Sequence, residues 1–142
     1  MIEQPDAATS TDARARIVQA GIRCITREGV TGASMAAMAL EAGVSKALLH
    51  YHYHDRATLL AEIAERIGMD VVERERSAVD ESDGAGGLDA LWEWLDVELR
   101  RGELAALAAL SLTRLGAVRN ATRAAATQRR SNAARTIERL FA

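Results

Sequence analysis

Proline, cysteine and aromatic residues are scarce in this chain of 142 residues. Pro5 is the single proline, and aromatic residues make up 4% of the total. Because few prolines interrupt it, the chain can form long helices, and its wealth of alanine, leucine, arginine and glutamate favours helix over strand. Cys24 is the single cysteine. It excludes an intramolecular disulfide and fits a reducing, cytoplasmic location.

Long apolar runs are also missing. Hydrophobic residues make up 49% of the chain, but no run approaches the roughly 18 residues of a membrane span. The N-terminal stretch MIEQPDAATSTD is acidic and polar, unlike the basic and apolar start of a signal peptide. We therefore expect a soluble intracellular protein with a buried core and no membrane partner.

A strong excess of one charge is absent as well, since the formal net charge is −2. The charges are unevenly placed: residues 57–111 hold 5 Lys+Arg against 13 Asp+Glu, whereas residues 112–142 hold 7 against 1. Residues 1–56 are balanced, with 6 of each sign. A contact with nucleic acid would therefore depend on local groups and not on a global positive field.

The N-terminal third reads as three helices. A first helix is expected to begin near Thr11 or Asp12 and to end at Gly29, after a flexible tail at residues 1–10. Ser34 can cap a short second helix, MAAMALEA, which Gly43 would end. Ser45 can cap a third helix directly afterwards. Two short helices joined by a glycine turn form a helix-turn-helix unit, expected within residues 11–56.

The remainder also reads as helical. Asp55 can cap a long fourth helix that runs from Arg56 towards Val79. The acidic, glycine-rich stretch DESDGAGG at 80–87 predicts a break. Three further helices are expected beyond it, the last one beginning near Ala117. The fold class is therefore predicted as all-α, with a helix-turn-helix domain followed by a helical region at residues 57–142.

The third helix has one face suited to reading DNA. At about 100° per residue, Lys46, Ala47, His50 and Tyr51 share an outward side, while Leu48 and Leu49 turn inward. This outward side offers a cation, a small methyl group and two rings that carry hydrogen-bond donors. Such groups can contact base edges in the major groove.

Three further residues are candidates for phosphate contacts. Ser34 and Ser45 each stand at a helix start, where a hydroxyl lies beside free backbone N–H groups. Arg56 opens the fourth helix and could clamp an adjacent phosphate. Together with the outward face, they form the predicted DNA-binding set.

The run GVTGASMAAMALEAGVSKALLHYHYHDRATLL at 29–60 resembles the N-terminal domain of the TetR (tetracycline-repressor-like) family of transcriptional regulators. The matching features are a Ser cap, AGVS at 42–45, a Leu-aromatic segment and a leucine pair at 59–60. The resemblance covers about residues 12–65. Three positions depart from the family pattern: His50 replaces a tyrosine, Tyr53 a phenylalanine, and Leu48 a frequent threonine.

The resemblance implies a sequence-specific regulator, usually a repressor, that acts as a homodimer on double-stranded operator DNA. A small-molecule effector bound in the C-terminal region would release the DNA. Family members usually continue with two long dimer-forming helices where this chain stops, so the C-terminal region is expected to be incomplete. No cofactor and no enzymatic activity are implied, and no catalytic set of residues is evident.

An effector pocket could be lined by Leu91, Trp92, Leu95, Leu107 and Leu110, although ordinary core packing explains these residues about as well. Trp92 and Trp94 are two apart on a helix and should face different ways. The arginines of the last helix are expected to form the charged side of an amphipathic helix.

Two other functions compete. The first is a helical small-molecule-binding or protein-interaction module that no longer reads DNA, which the histidine at position 50 supports. The second is a metal protein that uses His50, His52 and His54. On a helix His52 would point away from His50, and a metal site needs ligands that converge on one point, so we predict no metal site.

Overall fold

The computed structural model describes residues 7–80 and 84–141. These two ranges contain helices and no strand, which confirms the all-α prediction. In chain order, the helices are α1 (Ala7–Gly32), α2 (Met35–Ala42), α3 (Lys46–His52), α4 (Arg56–Asp80), α5 (Gly84–Arg101), α6 (Glu103–Ser111) and α7 (Gly116–Phe141).

Helix α1 is longer than predicted at both ends. It begins at Ala7, so residues 7–10, assigned to the tail, are helical; the rest of that tail lies outside the described residues. Gly29 has φ 75° and ψ 172°, which kinks the chain at the predicted end. A left-handed φ has no steric cost for glycine. One more turn follows, closed by a bond of 3.2 Å from the Ala33 N–H to the Gly29 carbonyl.

The predicted break at 80–87 is also shorter than expected. Residues 81–83 lie outside the described residues, and α5 already begins at Gly84. Glycine costs only about 1 kcal/mol per helical position, and α5 packs against both α4 and α7. Packing of the whole helix therefore outweighs the poor helix propensity of its first residues.

The signals that delimit α2 and α3 act as predicted. The Ser34 and Ser45 hydroxyl oxygens accept hydrogen bonds of 3.1 Å from the N–H groups of Ala37 and Leu48. Gly43 ends α2 in the left-handed conformation, with φ 65°. These three residues fix how α3 leaves α2.

Helix α4 begins as predicted and links the two parts of the molecule. The Asp55 carboxylate accepts a bond of 2.7 Å from the Thr58 N–H. Leu59, Leu60 and Ile63 are fully buried in the N-terminal part. Further along, a Cβ added to Gly68 would lie 2.5 Å from the Ala125 Cβ. Helices α4 and α7 therefore touch almost backbone to backbone.

One hydrophobic core runs through both predicted domains. Buried residues of α1 to α4 are continuous with those of α6 and α7. Helix α6 contacts α1 directly. A Cβ added to Gly102, the residue before α6, would lie 3.9 Å from the Thr26 Cβ of α1. The packing across the predicted domain boundary at residue 56 is therefore continuous.

Candidate nucleic-acid interface and C-terminal groove

The predicted outward side of α3 is exposed. Lys46, Ala47, His50 and Tyr51 all face away from the core, and Tyr51 is 68% exposed. Leu49, on the opposite side, is fully buried. We call these four exposed residues the reading face. Their side chains are available to a ligand outside the protein.

Tyr53 holds the C-terminal end of α3 against α1 and α4. Its ring is 1% exposed, its N–H donates to the Leu49 carbonyl at 2.9 Å, and the Arg14 guanidinium carbon lies 5.5 Å from the ring centre. Arg14 in turn pairs with Glu62 of α4 at 2.6 Å. Burial raises the pKa of the Tyr53 hydroxyl to about 12, and the buried ring anchors the C-terminal end of the reading face.

Ser34 and Ser45 are exposed beside the helix-turn-helix. Each hydroxyl oxygen accepts a bond from a backbone N–H of its own helix. The hydroxyl hydrogen of each residue remains able to donate. Both serines can therefore cap a helix and contact a phosphate oxygen at the same time.

Arg56 occupies a different environment from the one predicted. Its Nε donates to the Ala33 carbonyl at 3.0 Å, and a terminal nitrogen donates to the Val30 carbonyl. The side chain is half-buried. These two bonds tie α4 to the segment between α1 and α2. A guanidinium carries five N–H groups, so the phosphate clamp at Arg56 stays a prediction.

The three histidines lie in unlike environments. His50 and His54 are exposed, whereas His52 is half-buried. The His52 ring stands edge-on to Tyr51, with centres 5.2 Å apart and planes at 78°. In residues 7–80 and 84–141, no group of three His, Cys, Asp or Glu side chains could hold a metal ion. His52 is the last residue of α3, and its ring packs against that of Tyr51.

A groove of about 540 Å³ opens between α4, α5 and α7. Three of the predicted pocket residues, Leu91, Trp92 and Leu95, line it. The other two predicted residues, Leu107 and Leu110, do not line this groove. Leu110 is fully buried and Leu107 is 7% exposed, because that side of α6 packs into the core shared with α1 and α7.

Polar groups at the base of the groove were not predicted. Glu75 is 4% exposed and lines the groove. Burial raises the pKa of its carboxyl, against the opposing effects of Asn132 and Arg129. Glu75 continues the apolar series Ile67 and Val71 at four-residue spacing, and this spacing could have indicated a buried carboxylate.

Two hydrogen-bond donors that line the groove have no acceptor. Trp94 Nε1 and Arg129 Nε are buried without a hydrogen-bond partner, and both residues border the groove. Buried polar atoms normally have partners, so the base of the groove can accept a further ligand.

An ion-pair network joins α4 to the helices that follow it. Arg74 donates to Glu98 at 2.5 and 2.9 Å and to Glu103 at 2.5 Å. Glu98 is 1% exposed and also lies 3.5 Å from Arg101. The network fixes α5 and α6 to the C-terminal third of α4.

Comparison with known proteins agrees with this geometry. Residues 17–63 match the family model for bacterial regulatory proteins of the tetR family. A crystal structure of a protein from Pseudomonas aeruginosa PAO1, provisionally assigned as a transcriptional regulator, matches with a TM-score of 0.67 and 25% identity. A comparison with curated proteins gave no match.

The shared region covers 92% of this chain and 65% of the Pseudomonas aeruginosa protein. This chain therefore spans about two thirds of the length of that protein. Among the described residues, no helix combines the length and apolar character that crossing a membrane requires.

Proposed function

We propose that this chain is a TetR-family regulator, that it binds specific double-stranded operator DNA and that it regulates transcription. The exposed reading face on α3 carries the proposal. The helix is held by the Ser45 cap at one end and by buried Tyr53 at the other. A rigid helix with an exposed polar side fits the recognition helix of a helix-turn-helix.

Each residue of the reading face has a contact that suits its chemistry. The Lys46 ammonium can donate to guanine O6 and N7, and the Ala47 methyl can meet a thymine methyl. His50 and Tyr51 can donate to or accept from base edges or phosphates. Ser34 and Ser45 supply hydroxyl donors to phosphates, which position the helix without reading sequence.

Two copies of the protein would place their α3 helices in successive major grooves, about 34–36 Å apart. We propose that an effector in the C-terminal groove changes this spacing and releases the DNA, so that the protein acts as a repressor. Helix α4 supports this mechanism. It begins beside the helix-turn-helix, where Asp55 caps it, and it contributes Glu75 to the groove.

The test is operator selection from a random DNA library, followed by affinity measurement on the selected sequence. Lys46→Ala and Tyr51→Ala should each weaken binding by about 1–3 kcal/mol, since each removes a base contact. Arg123→Ala and Leu112→Ala change exposed residues away from the reading face and should leave affinity unchanged.

Equal affinity for all five proteins would reject the reading face. Failure to select any sequence, together with retained binding of small molecules in the groove, would favour the alternative function. The protein would then be a helical small-molecule-binding module that does not read DNA.

A further inference from the structure

We propose that the groove between α4, α5 and α7 binds small amphipathic carboxylates, with the carboxylate held by Arg129 and Trp94. The inference deepens the proposed function by naming the chemical class of the effector, and it rests on that function for its regulatory consequence. The binding itself is argued from the groove alone.

The unpartnered atoms at the groove are all donors. Trp94 Nε1 and Arg129 Nε are buried without an acceptor, and neither side chain can accept a hydrogen bond. A carboxylate oxygen would satisfy both kinds of N–H, and the bond to the guanidinium would be charge-assisted. An ammonium group only donates, so it would leave both atoms unsatisfied.

The charges that line the groove also favour a carboxylate over an ammonium group. Its charged lining residues in the described chain are Glu75, Arg129 and Arg130. The pKa of Glu75 is raised by burial, which disfavours the single negative charge present. Two guanidinium groups therefore face at most one carboxylate, and the local potential attracts an anion.

The rest of the groove is suited to an apolar tail. Leu91, Leu95 and Ile137 line its walls, and Trp92 lines it while remaining 74% exposed. A volume of about 540 Å³ is within the range of roughly 300–1,000 Å³ that is usual for small-molecule sites. A bound alkyl or aryl tail would cover apolar surface that is otherwise open to water.

Intrinsic tryptophan fluorescence can report on ligand binding in the groove. Trp92 and Trp94 are the two tryptophans of the chain. Their spacing predicted that they would face different ways, but both line the groove. Tryptophan emission therefore reports on this site directly. We would titrate the full chain with decanoate, decanol and decylammonium, which share one tail and differ in the head group. Decanoate is expected to bind at least about tenfold more tightly than decylammonium, a difference of about 1.4 kcal/mol.

Two variants test the residues that hold the head group. Arg129→Met keeps an apolar stem and should remove most of the preference for decanoate over decanol. Arg123→Met is the matched control, because Arg123 is exposed on the same helix and does not line the groove. Trp94→Phe keeps a ring and loses the N–H. It should weaken the binding of decanoate severalfold more than the binding of decanol, as measured by the emission of Trp92.

Three results would overturn the proposal: decylammonium binding as tightly as decanoate, equal effects of Arg129→Met and Arg123→Met, or no binding of any of the three probes. DNA affinity measured with and without decanoate separates this inference from the proposed function. Decanoate that binds the groove without changing DNA affinity would contradict effector control and leave the ligand class standing. Operator release by decylammonium, and not by decanoate, would support effector control and contradict the proposed ligand class.

Discussion

At the scale of single residues, surroundings decide roles that residue type leaves open. Arg56 could contact a phosphate by its chemistry, yet it donates to the carbonyls of Val30 and Ala33. Glu75 could be an ordinary charge on a helix, yet it is buried at the base of the groove. Both outcomes depend on neighbours that are distant in the sequence.

We expect Glu75→Gln to stabilise the protein at neutral pH relative to the wild type. Burial raises the folded-state pKa of Glu75. Between the ordinary and the raised value, the folded chain therefore holds a proton that the unfolded chain has lost. The free energy of unfolding of the wild type should fall as pH rises through this window. Glutamine does not titrate, so the difference in free energy of unfolding between the variant and the wild type should widen as pH rises through this window.

Urea denaturation at several pH values measures this difference. Well below the ordinary pKa of a glutamate, the advantage of the variant should shrink, because both states of the wild type are then protonated. Glu65→Gln, at an exposed position of the same helix, is the control and should follow the wild type. The prediction would be contradicted if the free energies of unfolding of Glu75→Gln and the wild type differed by the same amount at every pH.

At the scale of elements, the angle between α2 and α3 depends on one turn. Gly43 adopts φ 65°, and its N–H donates to the Leu40 carbonyl at 3.1 Å. Val44 then donates to Ala39 at 3.1 Å, which completes the turn before Ser45 caps α3. The direction of the reading face follows from this backbone geometry.

Gly43→Ala should destabilise the protein by about 1–2 kcal/mol, the cost of a left-handed conformation for a residue with a Cβ. Gly86→Ala is the matched control. Gly86 is helical within α5 and a Cβ there meets nothing within 4 Å, so alanine should be neutral or stabilise by up to about 1 kcal/mol. Chemical denaturation measures both effects, and equal changes would show that φ at Gly43 is not the cause.

At the scale of the whole molecule, α4 connects the groove to the helix-turn-helix. Arg74, in the C-terminal third of α4, pairs with Glu98 of α5 and Glu103 of α6. Helix α6 in turn contacts α1. A movement at the groove can therefore reach the helix-turn-helix by two routes, along α4 and through α6.

Arg74→Met should destabilise the protein by about 3 kcal/mol or more, because it leaves the buried Glu98 carboxylate with Arg101 as its remaining partner. Arg66→Met is the control on the same helix. It breaks the exposed pair with Asp70, at 3.0 Å, and such a pair contributes about 0.3–0.5 kcal/mol. Thermal unfolding measures the loss of stability in each variant, and equal losses would contradict the prediction.

The sequence by itself determined the features that depend on neighbours within a few residues. The caps at Ser34, Ser45 and Asp55, the turn at Gly43 and the exposed side of α3 were all predictable. Each depends on a local hydrogen bond, a φ angle or the helical repeat. The TetR resemblance lies in this same segment, whose pattern is short and continuous.

Tertiary structure alone decided the features that join distant segments. The orientation of Arg56, the core positions of Leu107 and Leu110, and the meeting of Glu75 with Trp94 and Arg129 all involve separate helices. Helical periodicity gives the apolar side of each helix but not the helix that it will face, because the hydrophobic effect that drives burial is non-directional. Close packing among the helices of the described residues determines which helices meet.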